Sequence, residues 1–181
     1  MPARFESIAS RRAIVDRRKL ADAIAALPND PAILKREATL LLRDALDKGR
    51  DEIARRLAEH PSRGHEAAAS YAFLTDQILR TTFDLATERL LPFSNRTTGE
   101  RLTLMAVGGY GRAEMALYSD IDIAFLTPWK QTAWAEQVIE TILYLLWDLG
   151  LKVGHSSRSP AVRLVRGSSL SVARSKIRRR I

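Results

Sequence analysis

The chain has 181 residues, 46% hydrophobic and 28% charged, with no cysteine. That composition is globular rather than disordered, and it excludes disulfide scaffolds, thiolate metal sites and thiol nucleophiles. No apolar run approaches the roughly 18 residues of a membrane span, and the N-terminus, with Arg4, Glu6, Arg11 and Arg12, lacks the hydrophobic stretch of a signal peptide, so a cytoplasmic protein with no membrane partner is expected.

The net charge of +8 is unevenly spread. After Asp148 there is no acidic residue, while nine basic ones follow, from Lys152 to Arg180. Removing those nine from the 29 leaves 20 basic against 21 acidic side chains in residues 1–148. A body this close to neutral argues against a nucleic-acid partner, since gripping a phosphate backbone needs a basic face on the folded part.

Residues 20–27 are Ala-rich and helical in character, ending at the break Pro28-Asn29-Asp30-Pro31. Asp30 before Pro31 is a helix start, an N-cap carboxylate followed by proline at the first helical position. From residue 33 to about 57, Leu34, Ala38, Leu41, Leu42, Ala45, Ile53 and Leu57 keep helical spacing. Residues 59–64 read as a turn. A second long helix is predicted from about 66 to 90, with Tyr71, Leu74, Ile78, Leu85 and Leu91 on its apolar side.

The texture changes at Pro92. Residues 95–99 are a loop, and 102–107 form a short apolar run ending in glycines, as a buried strand does. A second strand is predicted over 119–126. Residues 132–149 form an apolar helix carrying Trp134, Val138, Ile142, Leu145 and Leu146, stopped by Gly150. Residues 151–153 begin a third strand. The expected organisation is a helical region over 1–92, a partial α/β unit over 93–157, and a basic tail over 158–181, disordered or read from a shifted frame.

The chemistry concentrates in LTLMAVGGYGRAEMALYSDIDIAFL, residues 102–126. In a strand, Asp120 and Asp122 project to one side, about 6–7 Å apart along the backbone, while Ile121, Ile123 and Phe125 bury the other. Such a pair of carboxylates suits Mg²⁺ or Mn²⁺, hard cations that take oxygen ligands. Gly108, Gly109 and Gly111 follow a strand directly, where backbone N–H groups can approach a phosphate with no Cβ in the way. A phosphate cradle beside a metal seat is what nucleotidyl transfer needs.

Strand, Gly-Gly, short helix and Asp-x-Asp strand resemble the core of the DNA-polymerase-β-like nucleotidyltransferases. The fuller string GGYGRAEMALYSDIDIAFL, with LLWDLGLKVGHS after it, is similar to the PII-protein uridylyltransferase family. The related glutamine synthetase adenylyltransferases share Gly-Gly, Glu and Ser-Asp-x-Asp but lack the Tyr110-Gly111 pair. Residues 70–87 also resemble the uridylyltransferases, and the likeness covers about 30–157. It implies an α+β fold, a helical N-terminal region before an incomplete nucleotidyltransferase domain with a small mixed sheet. It implies that Asp120 and Asp122 bind the catalytic divalent metals, that Gly108 and Gly109 cradle the triphosphate of UTP, and that Ser119 assists. The acceptor implied is a tyrosine of a PII signalling protein, in nitrogen regulation.

The likeness stops after about Ser157, where the family continues toward a third catalytic carboxylate. This chain instead reads RSPAVRLVRGSSLSVARSKIRRRI, with no acid. Weak activity or none is therefore expected. Two alternatives stay open: another nucleotidyltransferase of the same fold, such as an adenylyltransferase, and a non-catalytic nucleotide-binding remnant. Elsewhere the plainer readings prevail. Glu114 serves a helix start, Arg112 a phosphate or a surface ion pair, and His60 and His65 are solvated. His155 has no assigned role, and Trp134 and Trp147 are core.

Overall fold

A computed structural model describes residues 5–93, 101–128 and 131–158. The architecture is α+β, mostly helical with one small mixed sheet. Two short helices, α1 (Arg11–Ile14) and α2 (Arg17–Ala25), precede a hairpin of two long ones, α3 (Pro31–Glu59) and α4 (Gly64–Asp84). Residues Leu85–Leu90 extend α4 as one wider π-helical turn. Strand β1 (Thr103–Ala106), the one-turn helix α5 (Gly108–Gly111), β2 (Ile121–Leu126), α6 (Ala133–Asp148) and β3 (Val153–Arg158) complete the described chain.

The helix starts follow local chemistry. Asp16 caps α2 by accepting from the N–H groups of Arg18 and Lys19, and Asp30 caps α3 by accepting from Ile33 N at 2.9 Å, with Pro31 in the first turn. Thr132 does the same for α6 through Ala135 N. The predicted stop at Gly150 is a paired hydrogen-bond cap. Gly150 N donates to Trp147 O, Leu151 N donates to Leu146 O, and Gly150 takes the left-handed φ of +73° that this geometry requires.

The apolar stripe of α3 (Leu34, Ala38, Leu42, Leu46, Ile53) packs on α4, which is buried on most of its circumference. The two approach closely at Gly49, where a Cβ would stand 2.6 Å from Leu74 Cδ1 and 3.0 Å from the carbonyl oxygen of Ile14. Arg89, in the π-helical turn, donates to the carbonyls of Ile24, Ala25 and Leu27 and to Asn29 Oδ1. It thereby satisfies the end of α2, where carbonyls lack helical partners. Helix α6 is tied to the same region by Trp134 Nε1, which donates to Leu91 O at 2.9 Å, while Arg43 of α3 donates to the carbonyl of Asp148.

The sheet order is β1-β2-β3, with β1 antiparallel and β3 parallel to the central β2. Ile121, Ile123 and Phe125 of β2 are each at most 2% exposed, and burial of this kind contributes about 1.5–3 kcal/mol per side chain. Buried residues of the helices and of the sheet form one continuous cluster.

Three expectations change. The second strand begins at Ile121 rather than at residue 119, because the N–H and hydroxyl of Ser119 both donate to Ala116 O and hold it in a turn. Trp147 is not core. It is 47% exposed, set edge-on to Tyr144, because position 147 falls off the stripe of Val138, Ile142, Leu145 and Leu146. Glu114 follows the one-turn helix instead of starting one, and it pairs with Arg112 at 2.7 Å. The loop at 95–99 and the tail from 159 onward lie outside the described residues.

Candidate nucleotide and metal site

The site is assembled where β1 ends and β2 begins. The antiparallel ladder runs past Ala106, so that Val107 N donates to the carbonyl of Asp122 at 3.0 Å. The chain then turns at Gly108 with φ +59°, a conformation that disfavours any residue with a Cβ. That turn sets the Gly108 backbone against the side chain of Asp122: a Cβ on Gly108 would stand 2.7 Å from Oδ2. Gly109 and Gly111 serve the turn itself, closing on Glu114 O and Ala106 O respectively.

Asp122 lies in β2 with its side chain on the exposed face, between buried Ile121 and Ile123. Asp120 is exposed just ahead of the strand, and the exposed-buried alternation through residues 120–123 places both carboxylates on the solvent side. The structure therefore brings Asp122 to the Gly108 turn, while Asp120 stands exposed two residues earlier, outside the strand. Ser119 is adjacent, but its hydroxyl proton is engaged by Ala116 O at 2.7 Å, leaving its lone pairs for other contacts. The loop between α5 and β2 is held in an uncommon backbone shape, with φ of +63° at Ala113 and +67° at Tyr118. Tyr118 itself is exposed, and the guanidinium of Arg50 of α3 lies 5.7 Å from the centre of its ring.

Gly154 carries no motif of its own in the sequence. It pairs in register with Asp122 across the β2–β3 ladder, and a Cβ on it would stand 2.6 Å from Oδ1. A glycine inside a strand is the signal that points to it, since such a residue weakens the strand unless something approaches closely. His155, next to it, is exposed.

Two carboxylates with no obstructing Cβ on the Gly108 side fit a hard divalent cation by donor chemistry. Among the described residues no group of three or more His, Cys, Asp or Glu side chains could hold a metal ion. No described helix is long and apolar enough to cross a membrane.

The chain is 60% identical over 153 residues to a bifunctional uridylyltransferase/uridylyl-removing enzyme of Novosphingobium aromaticivorans, covering 84% of this chain and 17% of that protein. It is 55% identical over 159 residues to the protein of that description from Erythrobacter litoralis, covering 86% and 17%. With that from Rhodospirillum rubrum it shares 44% identity over 161 residues, again 86% and 17%. The chain thus spans about a sixth of the length of these relatives. No solved structure matches. The profile of the family described as "Putative nucleotidyltransferase DUF294" matches residues 48–164, from the middle of α3 past β3, and the chain belongs to that nucleotidyltransferase family.

Proposed function

We propose that this chain carries the nucleotide- and metal-binding half of a uridylyltransferase site that moves UMP from UTP to a tyrosine hydroxyl of a PII signalling protein in the cytoplasm. The observation that supports this most is the seating of Asp122 against the Gly108 turn, which sets a carboxylate beside a backbone free of side chains. The relatives are named for uridylyl transfer and removal, which supports UTP over ATP as the donor.

Asp120 and Asp122 would hold Mg²⁺ or Mn²⁺. Such an ion, when bound, neutralises phosphate charge and lowers the cost of negative charge developing in transfer. The Gly108-Gly109 backbone would lie against the triphosphate, and the buried face of Ile121 and Ile123 fixes the strand that presents Asp122. In the reaction, the acceptor oxygen bonds to the α-phosphorus and loses its proton, and the bond from that phosphorus to the pyrophosphate oxygen breaks. Orientation and charge placement are the protein's contributions.

A second reading has its own support. The 33 residues after Asp148 include no acid, so no further carboxylate ligand can come from that stretch. In that reading the chain binds nucleotide without transferring it. The deciding assay incubates the chain with Mn²⁺, labelled UTP or ATP, and a PII protein. Label on PII from UTP, lost in Asp122→Asn, supports uridylyl transfer. Label from ATP alone would move the assignment to an adenylyltransferase, and nucleotide binding without any label would favour the second reading.

A further inference from the structure

The Asp122 carboxylate has a wall on each side. Gly108 stands against Oδ2, and on the other flank Gly154 of β3 stands against Oδ1. Gly154 is the register partner of Asp122 in a parallel pair, where partner side chains leave the sheet on the same face. A side chain at 154 would therefore point at the carboxylate, and its Cβ would stand 2.6 Å from Oδ1 and 3.8 Å from Cγ. No backbone requirement accounts for glycine here, since residue 154 does not share the positive φ of Gly108 and Gly150. Nor does a strand favour glycine, which contributes no packing and orders at an entropic cost. Steric clearance for Asp122 is the explanation left.

We infer that Gly154 is a positioning residue: it holds open the space in which the Asp122 carboxylate lies across β3, and so sets the direction in which its oxygens meet a divalent cation. The inference rests on the cation-binding role proposed for Asp122. Its steric half stands apart from that role.

The functional test is Mn²⁺ binding to the purified 181-residue chain, followed by electron paramagnetic resonance of the free ion. Gly154→Ala should weaken binding by about ten-fold or more, the range seen when groups that orient a ligand are altered. Gly150→Ala supplies the control. Residue 150 has φ +73° and nothing within 4 Å of its added Cβ, so it loses stability without touching Asp122. Its Mn²⁺ affinity should match the unaltered chain. Gly154→Ala binding as tightly as the unaltered chain would overturn the inference.

The steric half is read by thermal melting in a double-mutant cycle, which works even if Gly154→Ala alone folds poorly. Gly154→Ala should lower the melting temperature by several degrees in the unaltered chain and by much less on an Asp122→Ala background. An equal loss on both backgrounds would overturn the inference, because the methyl group would then be colliding with something else. If the unaltered chain bound no Mn²⁺, or if Asp122→Asn bound it equally well, the proposed function would fail, while the melting cycle would still decide the role of Gly154.

Discussion

The Oδ2 atom of Asp122 lies 2.7 Å from where a Cβ would stand on Gly108, and Gly108 also takes a φ of +59°. The two facts compound. Gly108→Ala should lose about 1–2 kcal/mol from the left-handed backbone alone and should also push the carboxylate aside. Urea unfolding should show the stability loss and Mn²⁺ titration a weakened affinity. A variant that loses stability but binds as before would mean that the carboxylate has room to move.

Gly49 is the corresponding close contact away from the site. Its added Cβ meets the end of the Leu74 side chain, which can rotate, and the backbone oxygen of Ile14, which cannot readily move. Gly49→Ala should therefore destabilise the helical part by about 1–3 kcal/mol, the usual cost of overpacking. Divalent-cation affinity per folded molecule should stay unchanged. Unaltered stability in a denaturant titration would show that α3 can shift away from α1 and α4 at no cost.

Arg89 tests the link between the π-helical turn and α2. Its guanidinium donates to three main-chain carbonyls and to Asn29. Arg89→Ala leaves those carbonyls short of donors, and a loss of about 1.5–3 kcal/mol is expected from removing charged hydrogen bonds. Hydrogen exchange should rise in residues 17–29 more than in α6.

Glu52 accepts from Arg55 and Arg56, and these hydrogen bonds, Arg55 first, hold its carboxyl down at about 2 from an ordinary 4.5. A carboxyl depressed in the folded state binds its proton more readily when unfolded. It therefore contributes stability above pH 4.5 that fades as the pH falls toward 2. Near the surface, solvent and salt screen most of that gain. Glu52→Gln should flatten the acid limb of a melting-temperature profile in that window with a small change at neutral pH. High salt should reduce the difference between the two chains.

Much of the helical scaffold was legible because its signals are local. Asp30-Pro31 starts α3 and Gly150 ends α6, each through hydrogen bonds made within a few residues. The Gly-Gly turn and Asp122 were legible as a pair, since a strand ending in glycines and an acidic strand face each other in an antiparallel ladder. What escaped depends on distant partners. Gly154 acquires its meaning from a parallel pairing with Asp122 across all of α6. Arg89, in the π-helical turn, likewise finds its acceptors 60 to 65 residues away in the chain. Trp147 was misread by residue type, although its position off the apolar stripe was already visible.

Equilibrium binding of UTP to the purified 181-residue chain reads out the metal-dependent nucleotide site at Asp120 and Asp122. Titrations would be run with Mn²⁺, with EDTA, and with Asp120→Asn and Asp122→Asn, each variant first shown by circular dichroism to keep its helices. UTP binding should require the metal and fall by at least about ten-fold in either variant, as expected when a metal-oriented site is disturbed. UTP binding that is equally tight in EDTA and in both variants would contradict this, because the nucleotide would then be held without the Asp120–Asp122 pair.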